Sequence, residues 1–579
     1  MSLSFPPPPV ARRILFTVKT AEAPFANVPA HFNFAHDVVE RWAAERPEAL
    51  ALWWIDEQSA RERKITFAEI ARDARRAAGF FAARGMRRGD RALLILPRIP
   101  EWWMVMLGLI RLGAVPIPGT PLLTAKDVAY RIEAAEISTV ITDAANAAKV
   151  PEAFTGNRII VGGELPNWTP FESGLAAAAD DLPYTPTPAT DPGIVYFTSG
   201  TTGEAKMVLH TQASYGMGHT ITGKYWLDLS PDDMIWALAD TGWAKTAWSN
   251  FYGPWIQGAT VFSMDMRGKF DPGVILKTLE RYPISVFCAP ATALRLLVRK
   301  NLAACRFARL RHCVSAGEAL NPPVAAAWKA GTGLTICEGY GQTETVCMIG
   351  YFRALGDVEP RLGSMGRAAP GFDIRIVDED GRELPAGKTG QIAVRVKPRR
   401  PLAMFQEYWK NPGETASRHV GDFYLTGDTG YRDGEGYFYF VGRADDVINS
   451  ASYRIGPSEV ESALQEHASV LESAAIGVPE ELRGEIVQAY VVLRPGFAAS
   501  EQLKRELQAH CKRVTAPYKY PRQIVFVPEL PKTVSGKIRR VELRARAAAE
   551  AKSARGRIRR RRKFLRYVAR MRRFFGIHS

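Results

Sequence analysis

The sequence predicts an α/β protein with a large N-terminal domain, a β-rich subdomain and a small α+β C-terminal domain. Short apolar segments alternate with helical segments over residues 32–329, the pattern becomes β-rich from residue 371, and it changes again after residue 442. These three observations favour an N-terminal domain at 30–442 with its subdomain at about 371–442, a C-terminal domain at 443–550 and a tail at 551–579.

The first part of the N-terminal domain is predicted to alternate helix and strand. Helices are expected at 38–45, 67–84, 101–112 and 125–135, and strands at 91–96 and 139–142. Thr124 and Asp127 resemble a capping box at the start of the fourth helix, since each side chain can accept a backbone N–H. Such alternation favours a largely parallel sheet with helices on both faces.

The same alternation continues beyond residue 206. Strands are predicted at 234–239, 260–263, 285–289 and 310–315, and helices at 271–281, 291–300 and 323–329. Ligands of these sheets bind at the carboxyl ends of the strands. The loops that begin at Thr198, Asp240, Ala316 and Glu338 follow such ends, so we expect them to meet at one cleft.

The β-rich subdomain is predicted from candidate strands at 374–377, 391–396 and 436–440 and a turn at Asp380-Gly381. A hairpin-rich barrel or subdomain is the simplest structure for this pattern. After Gly442 the pattern becomes that of a compact α+β unit, where we place the domain boundary.

The composition excludes several classes of protein. Hydrophobic residues make up 46% and charged residues 23% of the chain, which is typical of a globular protein rather than a disordered one. The six cysteines form no C-x-x-C pair and no metal-ligand spacing with the nine histidines, so we expect reduced thiols and a cytoplasmic location. We expect no secretory signal. The apolar window at 102–115 is too short to cross a bilayer and is predicted to be a buried helix.

The loop after the apolar pair Ile194-Val195 has the composition of a phosphate site. It consists of Thr198-Ser199-Gly200-Thr201-Thr202-Gly203-Glu204-Ala205-Lys206. Its glycines let backbone N–H groups approach an anion, its hydroxyls donate hydrogen bonds, and Lys206 adds a charge. The spacing differs from that of the common NTPase loop. On these residues alone, an ordinary Ser/Thr/Gly turn with an exposed lysine remains an alternative.

Four further stretches extend this pattern along the chain. They are Glu338-Gly339-Tyr340-Gly341-Gln342-Thr343-Glu344, Tyr424-Leu425-Thr426-Gly427-Asp428, residues 442–457 and Pro531-Lys532-Thr533-Val534-Ser535-Gly536-Lys537. In this order, after the phosphate loop, they resemble the adenylate-forming superfamily of acyl-CoA synthetases, luciferases and peptide-synthetase adenylation domains over residues 30–548. Residues 226–243, 449–459 and 515–521 are most similar to medium-chain acyl-CoA ligases. The resemblance implies stacked mixed and parallel sheets and a mobile C-terminal domain.

The resemblance also implies a site for the triphosphate of ATP. A carboxylate must attack the α-phosphorus although both groups are negative, so cations and oriented donors are needed. In the family, residues 198–206 hold the β- and γ-phosphates, while Thr198 and Glu344 contact Mg²⁺ and take part in catalysis. These oxygen ligands suit a hard cation. Without the resemblance, Glu344 could equally be a solvated loop carboxylate.

The nucleoside is expected to lie next to this site. By resemblance, Asp428 accepts both ribose hydroxyls, Tyr340 stacks near adenine, and Arg443 helps to hold the ribose and phosphate. Gly339 and the neighbouring residues of 338–343 contact the base. On spacing alone, Asp428 would more often belong to an Asx turn.

The C-terminal domain is expected to act in two half-reactions. In the family, the lysine at the position of Lys537 bridges the acyl carboxylate and the α-phosphate, whereas a lysine in a basic loop is usually solvated. Rotation about a hinge at Asp445 then opens a tunnel for CoA. Candidate CoA contacts, each of which could equally be a surface residue, are Ala451, Ser452, Tyr453, Arg454, Arg483, Tyr518, Lys519 and Tyr520.

At three places the residues of this chain differ from those that relatives have at the same positions. The family commonly has Gly where this chain has Ser452, which could narrow the CoA passage, and Leu-Pro where it has Glu204-Ala205. Acetate-specific relatives have Trp at the position of Gly341, so Gly341 predicts room for a longer or aromatic acid. Trp243 is expected to form a wall or gate of this pocket, although a core tryptophan is the alternative.

The tail carries most of the net charge of +16. After Glu550 it has twelve basic residues and no acidic one, so the body of the protein is nearly neutral. Apolar residues recur at helical spacing at Phe564, Leu565, Val568, Met571 and Phe575. A basic amphipathic helix at 556–579 would suit an anionic membrane surface, while an acidic partner, a nucleic acid or a disordered solubilising tail are the alternatives.

These features predict an ATP-dependent, AMP-forming acyl-CoA synthetase. Its partners would be a medium-chain fatty or aromatic carboxylic acid, ATP with Mg²⁺, and CoA, and nucleic acid is not expected. One alternative is an adenylating enzyme that transfers the acyl group to a carrier-protein thiol. Another is a catalytically inactive, membrane-associated scaffold.

Overall fold

The structure is a computed structural model that describes most of the chain. The described residues are 25, 27–58, 61–198, 205–266, 268, 270–356, 359–361, 363–444, 446–450, 453–480, 483–515, 519–532 and 537–550, without the side chains of Asn449, Tyr453 and Arg454.

The strands in the described part of the chain occur in three regions. Up to residue 265 they are β1 Leu50–Asp56, β2 Glu62–Thr66, β3 Arg91–Ile95, β4 Val115–Pro118, β5 Thr139–Asp143, β6 Asn157–Val161, β7 Thr169–Pro170, β8 Pro192–Thr198, β9 Lys206–Thr211, β10 Met234–Ala237 and β11 Thr260–Asp265. Up to residue 443 they are β12 Val286–Cys288, β13 His312–Ala316, β14 Ile336–Tyr340, β15 Ile349–Gly350, β16 Ser364–Ala368, β17 Ile374–Val377, β18 Gly390–Arg395, β19 Glu407–Tyr408, β20 His419–Val420, β21 Phe423–Arg432 and β22 Phe438–Arg443. The last region has β23 Ile448–Ser450, β24 Tyr453–Ile455, β25 Val470–Glu480, β26 Gly484–Leu493 and β27 Gln523–Phe526.

The helices lie between these strands. They are α1 Arg41–Glu45, α2 Phe67–Ala83, α3 Pro100–Leu112, α4 Ala125–Ala134, α5 Ala144–Ala147, α6 Phe171–Ala177, α7 Gln212–Gly216, α8 Ala244–Ser249, α9 Tyr252–Ile256, α10 Pro272–Arg281, α11 Ala291–Leu297, α12 Pro322–Thr332, α13 Pro412–Ser417, α14 Pro457–Gln465 and α15 Glu501–Val514. Turns of π-helix occur at Ala35–Glu40 and Ile221–Trp226, and turns of 3₁₀-helix at Leu302–Ala304 and Arg353–Leu355.

The capping box predicted from Thr124 and Asp127 is present. The Thr124 hydroxyl accepts the Asp127 N–H at 3.3 Å, and the Asp127 carboxylate accepts the Thr124 N–H at 2.9 Å. The predicted alternation of helix and strand is confirmed as well, because β10, β11, β12, β13 and β14 pair in parallel with one another.

The largest sheet continues past these parallel strands into the predicted β-rich subdomain. Its strand order is β17-β18-β21-β22-β16-β15-β14-β13-β12-β10-β11-β1-β2, with β20 paired to β21. The predicted hairpins occur, and their strands extend this sheet rather than closing into a barrel, which was one of the two structures predicted for them. Antiparallel pairing of β14 with β15 and of β15 with β16 makes the connection.

Three smaller sheets complete the fold. A parallel sheet has the order β4-β3-β5-β6-β7, and an antiparallel sheet has the order β19-β9-β8. The C-terminal region forms its own sheet in the order β24-β23-β26-β25, with β27 paired to β26. Helix α14 meets the N-terminal part of the fold, since the Ser462 hydroxyl donates to the Asn321 Oδ1 at 3.3 Å and Asn321 also bonds Gln465.

Aromatic side chains fill much of the interior. In α3, Trp102 and Trp103 are fully buried, which confirms the prediction that this apolar window is a buried helix. Trp328 of α12 is also fully buried and stacks on Phe287 and Phe307 with ring centroids 6.2 Å and 6.5 Å away. All six cysteines are free thiols, as predicted. Among the described residues, no helix has the length and apolar content needed to cross a membrane.

Replacing Trp328 with alanine is expected to destabilise the fold by about 3–5 kcal/mol, because a large buried ring leaves a cavity. Calorimetric unfolding should show a main transition at a clearly lower temperature. The matched control is Leu122→Ala, since Leu122 is 60% exposed and should change stability by less than about 0.5 kcal/mol. Equal shifts for the two variants would contradict this description of the core.

Candidate active site

The predicted loops lie at the carboxyl ends of neighbouring strands. Ala316 ends β13, Tyr340 ends β14, and the segment 238–243 follows β10, whose neighbours in the parallel sheet include β12 and β11. Parallel strands end at the same edge of a sheet, which places these loops together. Strand β8 ends at Thr198, opposite Lys206 at the start of β9.

The Asp428 carboxylate links three of the predicted motifs. It is 4% exposed and accepts hydrogen bonds from the Tyr340 hydroxyl at 2.6 Å, the Gln342 Nε2 at 2.8 Å and the Arg443 Nη1 at 3.1 Å. Burial, followed by the adjacent Asp428 charge, raises the pKa of the Tyr340 hydroxyl, which therefore remains a donor. The carboxylate is thus held in a fixed position, as required of a group that binds a ribose.

Glu338 lies beneath this network, on β14. Its Oε1 accepts the Leu320 N–H at 2.8 Å, and burial raises the pKa of its carboxyl to about 7. The side chain therefore fixes the loop that follows β13, and its contact with adenine remains a proposal.

Lys206 is already paired at the end of the phosphate loop. Its Nζ contacts the Glu414 carboxylate of α13, which also accepts the Arg418 Nε at 3.0 Å. The Nζ also lies 5.3 Å from the centroid of the Tyr408 ring. An incoming phosphate would compete with Glu414 for this lysine. The predicted phosphate ligands Ser199, Gly200, Thr201, Thr202, Gly203 and Glu204 lie outside the described residues.

Glu344 lies beside the same small sheet. Its Oε1 accepts the Tyr408 hydroxyl at 2.6 Å, and strand β19, which contains Tyr408, pairs with β9. Within the described part of the chain, no hydrogen bond is made by its Oε2 or by the Thr198 hydroxyl, so both oxygens are available to a ligand. A carboxylate and a hydroxyl oxygen beside a phosphate loop fit Mg²⁺. The two residues predicted to contact this ion are therefore chemically suited to it.

His210 supports the loop that carries Glu344. Its Nε2 lies 2.8 Å from the Thr343 carbonyl, and burial lowers its pKa to about 3. The ring is therefore neutral, with the proton on Nε2 donated to that carbonyl. This contact fixes Thr343 through its backbone.

The space at Gly341 is filled by a residue that the sequence analysis did not single out. A Cβ at position 341 would lie 2.7 Å from Cη2 of Trp248 and 2.2 Å from the Val346 carbonyl oxygen. The prediction that Gly341 leaves room for a longer or aromatic acid stays a prediction, and the missing side chain at this position also makes room for the Trp248 ring. In the same way, a Cβ at Gly339 would lie 2.4 Å from the Trp226 ring.

Trp243 and Lys245 lie on the neighbouring helix. Trp243 is the N-cap residue of α8 and is half-buried, as a pocket wall would be. The Lys245 Nζ donates to the Ala316 carbonyl at 2.9 Å. Burial lowers the pKa of Lys245, and the charge of Lys537 lowers it further. Lys537 of the C-terminal region therefore lies close enough to this cleft for its charge to act there.

The predicted CoA residues are only partly brought together. Ser450 of β23 pairs with both Tyr453 and Gly484, so Arg483 adjoins the paired strands β23 and β24. Lys519 pairs with Glu459 at 2.6 Å, and the Tyr520 hydroxyl accepts the Arg522 Nη1 at 2.9 Å. Ala451, Ser452, Tyr518 and the predicted hinge Asp445 lie outside the described residues, as do the side chains of Tyr453 and Arg454 and the tail at 551–579.

Sequence reasoning missed the residues that support these groups. Tyr408, Glu414, Trp248 and Lys245 stand in none of the recognised motifs. Glu414 reaches Lys206 across 208 positions of the chain, and Tyr408 reaches Glu344 across 64. Contacts this distant leave no local pattern. Of these four residues, Lys245 alone could have been found from the local sequence, because it lies two residues after the predicted pocket residue Trp243.

Two family profiles match the chain. That of the AMP-binding enzymes matches residues 39–409, and that of the AMP-binding enzyme C-terminal domain matches residues 459–537. The chain belongs to the AMP-binding enzyme family. The resemblance inferred from the five motifs is thereby confirmed.

Curated relatives and solved structures agree with this assignment. The mitochondrial acyl-coenzyme A synthetase ACSM3 of Pongo abelii is 46% identical over 531 residues, covering 89% of this chain and 90% of the relative. A crystal structure of the anthranilate CoA ligase AuaEII in complex with anthranoyl-AMP is 28% identical, with a TM-score of 0.82 over 90% of this chain and 99% of the other. ATP-bound MatB from Rhodopseudomonas palustris is 27% identical, with a TM-score of 0.76 over 88% and 98%. The predicted fold class is confirmed.

Replacing Asp428 with asparagine should weaken ATP binding about tenfold or more. The substitution removes the negative charge that accepts hydrogen bonds from Tyr340, Gln342 and Arg443. Because one hydrogen bond to a charged group contributes about 1.5–3 kcal/mol, the loss of one such bond to the ribose would account for this change in affinity. Isothermal titration calorimetry with ATP would measure the change. Asp422→Asn is the matched control, because Asp422 is exposed on the same part of the sheet and should leave ATP affinity unchanged.

Replacing Glu338 with glutamine should flatten the pH dependence of stability. The pKa of about 7 in the folded protein lies above the usual value, so the folded state holds this proton more tightly than the unfolded chain. This contribution is complete below about pH 4.5 and is lost as the pH rises through about 7. Thermal unfolding from pH 5 to 8 would test it. Glu152→Gln, at an exposed site, should keep the wild-type slope, and the same slope in Glu338→Gln would contradict the assignment.

Proposed function

We propose that this protein is an ATP-dependent, AMP-forming acyl-CoA synthetase, an acid–thiol ligase. The observation that carries the proposal is the Asp428 network, which joins the middle of β21 to the ends of β14 and β22. Lys206 and Glu344 lie on one side of it, and the charge of Lys537 acts in the cleft as well. The resemblance to acyl-coenzyme A synthetase ACSM3 supports the same activity.

The first half-reaction would join the acid to AMP. A carboxylate oxygen of the acid attacks the α-phosphorus of ATP, the bond to the β-phosphate breaks, and pyrophosphate leaves with the electron pair. Asp428 and Arg443 hold the ribose, and Lys206 exchanges its contact with Glu414 for a phosphate oxygen. Lys537 neutralises charge on the carboxylate and α-phosphate as it develops. The product is an acyl-adenylate.

Thr198 and Glu344 are the residues that would hold Mg²⁺, which supplies positive charge to the phosphates. Tyr408 orients Glu344 by donating to one carboxylate oxygen, which leaves the second oxygen for the ion. The Tyr408 hydroxyl keeps its proton, because burial and the Glu344 charge raise its pKa.

The second half-reaction would transfer the acyl group to CoA. The thiolate sulfur attacks the acyl carbon, the carbon–oxygen bond to AMP breaks, and AMP leaves. We place the moving unit at residues 443–550, the hinge at Asp445, the larger domain at 30–442 and its β-rich part at about 371–442. The family profiles, which end at residue 409 and begin again at residue 459, support this division.

The acid is proposed to be a medium-chain fatty or aromatic one, with Trp243 and Gly341 at its pocket. The Trp248 ring against Gly341 sets the depth of that pocket. We keep the cytoplasmic location as a proposal, together with contact of the basic tail at 556–579 with an anionic membrane. The relative in Pongo abelii is named as mitochondrial.

Replacing Lys537 with alanine should slow adenylation about a hundredfold or more, because it removes the cation that acts on the transition state. Acid-dependent exchange between pyrophosphate and ATP measures this step. Formation of acyl-CoA from presynthesised acyl-adenylate and CoA should be largely unchanged. Lys532→Ala is the control in the same loop, since Lys532 is exposed and pairs with Glu472 at 2.7 Å.

Three outcomes would contradict the proposal. Unchanged exchange in Lys537→Ala would remove the role of this lysine. Exchange with many acids but no AMP release on addition of CoA would favour transfer to a carrier-protein thiol. Absence of exchange with any acid would favour a scaffold without catalytic activity.

A further inference from the structure

Lys245 is a cation in the cleft that the proposed mechanism leaves without a role. It lies on α8, two residues after Trp243 and three before Trp248. Its side chain is partly buried, and this burial lowers its pKa. Lysine side chains are rarely placed in such surroundings without a partner of opposite charge.

The described residues provide this ammonium group with only some of the hydrogen-bond acceptors that it can use. Its Nζ makes one hydrogen bond, to the Ala316 carbonyl, and within the described part of the chain no carboxylate lies within ion-pair distance of it. The Glu318 carboxylate, whose charge acts on Lys245, is bound to the Thr292 N–H at 2.8 Å and to the Arg295 Nη2 at 3.3 Å. An ammonium group has three N–H donors, so two remain for a ligand.

The neighbours of Lys245 place it beside the proposed acyl pocket. The Trp248 side chain of the same helix lies against Gly341, at the end of β14. Cys288, at the end of β12, is close enough for the Lys245 charge to lower the pKa of its thiol, although burial raises that pKa overall. Lys245 is thus a charged group close to an aromatic side chain and a buried thiol.

The hydrogen bond to Ala316 shows which part of an acid Lys245 would meet. Ala316 is the last residue of β13 and pairs with Gly339 of β14, which is proposed to contact adenine. The Lys245 Nζ, 2.9 Å from the Ala316 carbonyl oxygen, therefore lies on the nucleotide side of the proposed acyl pocket. An acid bound for adenylation has its carboxyl group on that side, so Lys245 lies near the carboxyl end of the acid rather than at the far end of its chain. The charge of Lys537, which acts on Lys245, agrees with this placement.

We propose that Lys245 determines specificity by selecting carboxylic acids that carry a second hydrogen-bond acceptor close to the reacting carboxyl group. A hydroxyl or oxo group on the neighbouring carbon, or an ortho substituent on an aromatic ring, would accept the free N–H donors. This inference rests on the proposed acyl-CoA synthetase activity and adds a substrate class to it.

The energetic reason is the cost of an unmade hydrogen bond. A plain alkyl or aryl acid would exclude water from Lys245 and leave its donors without acceptors, whereas an acid with the second acceptor would satisfy them. Sites built to bond a polar group of a substrate discriminate strongly against the analogue that lacks it. We therefore expect a preference of about tenfold or more for the acceptor-bearing acid.

Matched pairs of acids test this inference in acid-dependent pyrophosphate exchange. The pairs are 2-hydroxybenzoate with benzoate and 2-oxohexanoate with hexanoate, and the measured quantity is the ratio of kcat/KM within each pair. The wild type should favour the first acid of at least one pair about tenfold or more. Lys245→Met, which keeps the length and removes the donors, should bring that ratio to about one by improving the plain acid.

Two controls separate specificity from structure. Lys329→Met, at an exposed site on α12, should keep the wild-type ratio. Lys245→Gln keeps an N–H donor without the charge and should give an intermediate ratio, which remains measurable if the methionine variant folds poorly. Equal ratios in the wild type, Lys245→Met and Lys245→Gln would overturn the inference while leaving the synthetase activity standing. A wild type with no exchange for any acid would overturn the proposed function and this inference with it.

Discussion

The buried carboxylate of Asp428 is the interaction on which the site depends. It joins the end of β14, through Tyr340 and Gln342, to the paired strands β21 and β22, through Arg443. A buried charge is costly unless it is fully hydrogen-bonded, so each donor fixes the position of the others. The strands of the parallel and antiparallel parts of the largest sheet are thereby held in one geometry at the cleft.

Three lysines around the cleft differ in how their charge is balanced. Lys206 is paired with Glu414, so the proposed contact with a phosphate would replace one ion pair by another. Burial lowers the pKa of Lys245, and the charge of Lys537 lowers it further. Binding of an acid and a triphosphate, as proposed, would bring negative charge close to these cations.

Local sequence patterns predicted the individual helices and strands more reliably than the way in which the strands join into sheets. The capping box of Thr124 and Asp127 and the buried helix α3 followed from residue type and spacing, because both depend on neighbours along the chain. The predicted hairpins beyond residue 371 were correct as hairpins, yet their strands joined the largest sheet. The short strand β15 makes that junction with two residues, which is too little sequence to show a periodic pattern.

Sequence by itself determined the family, the order of the motifs and the residue types that carry charge at the site. These are properties of short segments, and Asp428, Lys206 and Glu344 could be named from them. Tertiary structure alone decided that Tyr408 orients Glu344, that Glu414 holds Lys206 and that Trp248 occupies the space at Gly341. Each of these contacts joins segments far apart in the chain, and a contact that forms only when separate strands meet at one sheet edge leaves no signature in either segment.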